Sequence, residues 1–144
     1  METKTIREAV KAVEGAKADP EVRNVRRMEV GQVVQQGDVY LHFVVAGHPH
    51  GKQIGAGNVQ IALGVGNGAR HMAEGAVQVF AASHLPCGVK APMNVRPEEV
   101  CGPVIVADKP WRLTHPEHPH HNLPAGTYQV TYQYDPQTMR RVQD

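Results

Sequence analysis

From Val30 onward, apolar and polar positions alternate with a period of two, the repeat of strands that set one face against a core. Val39, Leu41, Phe43 and Val45 interleave with Tyr40, His42 and Val44, and Val59, Ile61, Leu63 and Val65 repeat the pattern. Val77 and Val79 flank Gln78, and residues 104–106 form a short apolar run. Tyr128, Val130, Tyr132 and Tyr134 alternate with Thr127, Gln129, Thr131 and Gln133. At least six strands are expected. Helical spacing occurs only earlier: Thr5-Ile6-Arg7-Glu8 has capping-box form, and Ile6, Val10 and Val13 recur on one face. A short helix is therefore expected over about 6–16, weakened by Gly15 and closed off by Pro20.

Turn signals separate the strands and hold most of the 14 glycines and 11 prolines. No helical crossover lies between them, so a parallel doubly wound sheet is not expected. The pattern predicts a mainly β fold: a single-domain antiparallel β-barrel or sandwich with a short N-terminal α-helix. Residues 1–27 form the helix and connection, and residues 28–144 the β domain. The glycine-rich 55–68 stretch lacks the lysine and the following helix of a phosphate-binding loop. The long segment 83–100 is a candidate cover for a site.

Charge narrows the function classes. Fifteen Lys and Arg face 14 Asp and Glu, and only 5% of residues are aromatic, which argues against a broad nucleic-acid surface. No apolar run approaches the roughly 20 residues of a membrane span, and the N-terminus lacks the apolar core of a signal peptide. A cytoplasmic protein without membrane partners is expected. Cys87 and Cys101 have neither CxxC spacing nor a disulfide-dense context, so two reduced thiols are expected.

Candidate chemistry concentrates in His115-Pro116-Glu117-His118-Pro119-His120-His121, which holds four of the nine histidines and one carboxylate. Imidazole and carboxylate bind transition metals and move protons near neutral pH. Pro116 and Pro119 push the preceding histidines out of the α region, which excludes a helical metal motif. A polyproline course puts His115, His118 and His121 on one face, whereas a β course pairs His118 with His120. His71, just after a glycine-rich turn, is the best outside partner. His48 and His50 read as solvated loop residues, His84 as an isolated loop histidine, and His42 as an exposed or hydrogen-bonded strand residue.

Two resemblances carry this further. The stretch from Arg70-His71 to the histidine segment and its following Pro124-Ala125-Gly126 has a cupin-like flavour, although Ala69 stands where a cupin would place a second histidine. The chain also resembles a family of small, uncharacterised bacterial and phage β-proteins. Gln36-Gly37-Asp38-Val39, Asn67-Gly68-Ala69-Arg70-His71, His115-Pro116-Glu117-His118, Leu123-Pro124-Ala125-Gly126-Thr127-Tyr128 and Arg140-Arg141-Val142-Gln143-Asp144 carry that likeness. It implies that His71, His115, Glu117 and His118 belong together.

Three functions follow as expectations. In the first, His71, His115 and His118 hold a divalent Zn, Mn, Fe or Ni ion, and Glu117 and His118 act catalytically on metal-bound water to hydrolyse a phosphoester or similar bond. The second is a metal-independent ribonuclease using two histidines as acid and base. The third is a non-enzymatic binder, possible as a homo-oligomer, in which Arg70 and His71 hold a small anionic ligand such as a nucleotide.

Overall fold

The computed structural model describes residues 22–63, 70–86, 89–135 and 140–141. The helix expected over 6–16 lies outside the described residues, as do Cys87 and the turn at 67–69.

Among the described residues, thirteen strands and one short helix follow in order: β1 Val22–Asn24, β2 Val33–Gln36, β3 Val39–Val44, β4 Gln53–Ala56, β5 Val59–Leu63, β6 Arg70–Glu74, β7 Val77–Phe80, α1 Pro97–Val100, β8 Cys101–Ala107, β9 Trp111–Thr114, β10 His120–Leu123, β11 Gly126–Tyr132, β12 Tyr134–Asp135 and β13 Arg140–Arg141. They build a five-stranded sheet in the order β1-β10-β9-β6-β5 and a six-stranded sheet in the order β2-β3-β11-β8-β7-β4. β12 and β13 pair separately, so the terminal arginines belong to a short strand. The two large sheets face each other as a sandwich, not a closed barrel. Among the described residues, all pairings are antiparallel except β1 with β10, a parallel edge formed by Val22–Asn24 within a segment that reads as plain connection.

Alternation decides what meets between the sheets. Val39 and Leu41 of β3, Val79 of β7, Ile105 of β8 and Tyr128 and Val130 of β11 project inward from the larger sheet. Ile61, Ala73, Trp111, Leu113 and Leu123 meet them from the smaller one. Each fully buried Leu, Ile or Val contributes about 1.5–3 kcal/mol, which makes this layer the main source of stability. Tyr128 sits at its centre, with edge-to-face contacts to Trp111 (5.2 Å) and Phe43 (5.1 Å). Its hydroxyl donates to the Pro124 carbonyl at 2.6 Å, and burial pushes its pKa up to about 12. The Leu-Pro-x-Gly-x-Tyr motif thus has a packing role: at Gly126 (φ +150°) any Cβ would collide with the Phe43 ring.

Where β8 meets β11 the register slips between Gln129 and Thr131, and Val130 lies against Gly102. A Cβ at Gly102 would stand 2.8 Å from the Val130 carbonyl oxygen and from its Cβ. The oxygen is backbone in a central strand and has nowhere to go. Gly102→Ala is therefore expected to destabilise the fold by about 1–3 kcal/mol, measured as a lower urea midpoint with unchanged slope; a wild-type midpoint would contradict the packing described.

Candidate functional site

Gln36 and Asp38 flank Gly37 in the turn of the β2–β3 hairpin. Gln36 pairs with Val39, which leaves a two-residue loop with Gly37 at φ +57°, the first-position geometry that glycine supplies in such tight turns. Both side chains are buried and reach across the sandwich to β6. His71 Nδ1 lies 2.8 Å from Gln36 Oε1, and His71 Nε2 lies 2.9 Å from Asp38 Oδ1. The His71 and Asp38 side chains are 0% and 1% exposed.

Donor accounting settles the orientation. Gln36 Nε2 donates to the Leu113 and Pro119 carbonyls at 3.1 and 2.8 Å. Carbonyls only accept, so Oε1 must be the atom facing His71, and His71 Nδ1–H donates to it. Nε2 and the carboxylate then hold one proton between them in a site closed to water. A single hairpin turn in one sheet is thereby bonded to β6, β9 and the chain entering β10 in the other.

The histidine segment folds over this network. Residues 115–119 form a loop and His120 opens β10, so the segment follows neither a pure polyproline nor a pure β course. His115 is buried, with its ring 4.4 Å from His71 and 4.3 Å from the half-buried His118. His71 and His118 are 6.2 Å apart and nearly parallel. The three rings named from the sequence are therefore neighbours, with His115 tilted against the other two at 49° and 41°. Glu117 is exposed, and its contribution to the cluster is its backbone N–H, which donates to His115 Nδ1 at 3.0 Å.

This polarity does not fit a metal ligand. A ligating imidazole donates one N–H to a neighbour and turns its other, unprotonated nitrogen to the metal. His71 has both nitrogens engaged with oxygen atoms, and His115 spends its Nδ1 lone pair on a backbone N–H, which leaves the proton of its neutral form on Nε2. Among the described residues, no three His, Cys, Asp or Glu side chains are set to hold a metal ion.

Arg70 and His71 are neighbours in sequence, yet strand alternation sends them to opposite faces. His71 points into the sandwich, while Arg70 is exposed on the outer face of the five-stranded sheet. There Arg70, Met72 and Glu74 of β6, Arg112 and Thr114 of β9, and His120 of β10 line a concavity of about 530 Å³, with His115 and Pro116 at one end. Arg112 Nε donates to Asn122 Oδ1 at 2.7 Å, which holds the guanidinium and leaves its Nη groups as donors for a ligand. His120 Nε2–H donates to the His115 carbonyl at 3.1 Å. The carboxylate of the concavity, Glu74, accepts the Thr114 hydroxyl at 2.8 Å. Sequence reasoning passed over Gln36, Asp38, Arg112 and Thr114. The Gln-Gly-Asp-Val motif carried a signal for the first two, and the alternation of Trp111-Arg112-Leu113-Thr114 one for the others.

The remaining histidines divide by burial. His121, on the inner side of β10, has its pKa lowered by burial and further by Arg23 and His120, and its Nδ1 has no hydrogen-bond partner among the described residues. His42 is lowered by burial. His48, expected to be a solvated loop residue, is buried instead. His50 is exposed and lies tilted against Phe80, with ring centroids 4.1 Å apart. Cys101 is a free thiol whose pKa burial raises, which disfavours a nucleophilic role. No helix among the described residues is long and apolar enough to cross a membrane.

Two outcomes follow from the buried groups. Asp38→Ala strands His71 Nε2 in a dry site and is expected to cost about 3–5 kcal/mol in urea unfolding; a loss below about 1 kcal/mol would place the pair among weak surface contacts. Because His121 and His42 are harder to protonate folded than unfolded, stability is fully present above the unfolded pKa of about 6.5. It falls as the pH drops below that value, toward the lowered folded pKa. His121→Leu should flatten this decline, measured as unfolding free energy between pH 7.5 and 5; an unchanged slope would exclude His121 as a contributor.

A protein-family model described as "Domain of unknown function (DUF8820)" matches residues 35–133. No curated protein and no solved structure matches the chain. The matched span is more than half of the sequence and contains Gln36, Asp38, His71, the histidine segment and the Arg70–Arg112 face. The chain belongs to the DUF8820 family.

Proposed function

We propose that the protein binds a small anionic ligand, such as a phosphate or nucleotide, in the concavity on the outer face of the five-stranded sheet. One observation carries this reading: Arg70, Arg112 and His120, from three adjacent strands, line one concavity whose carboxylate is engaged by a threonine hydroxyl. Arginine presents paired N–H groups that match phosphate or carboxylate oxygens, and such charge-assisted bonds are stronger than neutral ones. A volume of about 530 Å³ falls within the range of small-molecule sites.

The buried histidines serve this site from behind. The Glu117 N–H bond to His115 Nδ1 fixes that ring at the rim, and the His115 carbonyl in turn orients the His120 ring. On this reading the histidine segment is a scaffold for anion recognition and not a centre for hydrolysis. We further read the protein as a bacterial or phage binder acting in the cytoplasm, where Cys101 stays reduced.

Calorimetric titration with inorganic phosphate, pyrophosphate and adenosine monophosphate tests the proposal. At least one should bind, and Arg70→Gln or Arg112→Gln should weaken it by about 10- to 100-fold, the loss of one charge-assisted contact of roughly 1.5–3 kcal/mol. Phosphorus NMR should return the ligand unchanged. Absence of binding, or binding indifferent to both substitutions, would refute the site, and conversion of the ligand would refute a pure binder.

A further inference from the structure

The outer face of the six-stranded sheet carries its own buried polar centre. Gln129 of β11 points away from the core yet is fully buried, because the segments following β3 and β7 cover it. Its Nε2 donates to the carbonyls of His84 (2.5 Å) and Gly102 (3.3 Å), so Oε1 is the atom that accepts the Nε2–H of His48 at 2.5 Å. One carboxamide thus clamps two covering segments onto the sheet.

Between them remains a cavity of about 320 Å³. Its walls include Val33, Val44, Val45 and Val89, and His42 and His48 also line it. Among the described residues, no Asp, Glu, Lys or Arg lines it. His42 Nε2 is tied to Thr131 Oγ1 at 2.8 Å, and burial disfavours its charged form. With the His48 Nε2 proton committed to Gln129, Nδ1 is the ring nitrogen left to accept from a ligand. Around the opening, Val30, Val33 and Val45 are 60%, 48% and 54% exposed, an apolar rim continuous with the cavity.

We propose that this cavity is a second binding site, taking a small uncharged molecule of one or two rings that is mostly apolar and carries an N–H or O–H donor. The volume lies at the lower end of small-molecule sites, about 300–1,000 Å³, and is recessed beneath two chain segments, which disfavours a flat protein surface as occupant. A charged ligand would lose its hydration with no opposite charge to meet it. A donor group is called for because the ring nitrogen that His48, one of the lining imidazoles, leaves to a ligand is an acceptor. The site is independent of the anion site, which lies on the other sheet.

Indole, two rings with one N–H, is the probe, titrated into the full chain and followed by valine methyl NMR. The expected result is saturable shifts at Val33, Val44, Val45 and Val89, undisturbed by excess inorganic phosphate. Val33→Lys and Val45→Lys each place an ammonium at an exposed rim position, where folding should survive, and should weaken indole by about tenfold or more. Phenylacetate and benzylamine, the charged counterparts, should bind at least about tenfold more weakly than indole. Shifts that fail to saturate or spread over the chain, equal binding of the charged probes, or indifference to both lysine variants would overturn the proposal.

Discussion

The Gln36 and Asp38 contacts with His71 are the constraint around which the site is organised. Apolar burial holds the two sheets together, but it is non-directional and would tolerate sliding. The polar network is directional. Gln36 alone bonds to β6, the end of β9 and the chain entering β10, so the hairpin turn of one sheet dictates where three segments of the other must stand. A buried ion pair need not stabilise relative to an apolar core, but breaking one side leaves a charge or a polar atom uncompensated. The network therefore acts mainly on specificity: it selects one register of the sandwich among those that apolar packing would accept.

That register has chemical consequences. It buries His71 and His115 and engages both His71 nitrogens and the Nδ1 of His115, which turns much of the densest cluster of candidate ligands into structure. It also sets the opposite faces of the same strands outward. Arg70 is presented to solvent because His71 is locked inward, and Arg112 because Leu113 is in the core. The scaffold and the proposed binding surface are two faces of one alternation. A similar division holds across the molecule, where Gln129 holds covering segments over the outer face of the other sheet.

Much of this was legible in the residues. Strands at 39–44, 59–63, 77–80 and 126–132 follow the period-two pattern, which depends only on alternate side chains facing a core, and the apolar run 104–106 lies within the strand at 101–107. The shorter strands β2, β4, β9 and β10 were harder to see, because a run of four residues gives alternation little room, and β1 is exposed throughout. The resemblance groups His71, His115, Glu117 and His118; the three rings are neighbours, whereas the Glu117 side chain is exposed. The roles of Gln36, Asp38 and Arg112 were not anticipated, since an amide or a guanidinium in isolation gives no sign of its eventual partner.

Composition and periodicity by themselves determined a β fold with an apolar layer, a near-neutral surface and a proline-bent histidine segment excluded from helix, because these properties arise from neighbours along the chain. Only the tertiary structure decided which sheet each strand joined, that both nitrogens of His71 and the Nδ1 of His115 would be taken by internal hydrogen bonds, and that arginines from separate strands would share one concavity. Hydrogen-bond polarity and surface convergence are properties of residues far apart in sequence: His71 meets Gln36 across 35 positions, and Gln36 meets Pro119 across 83. Nothing local encodes those meetings until the sheets have packed.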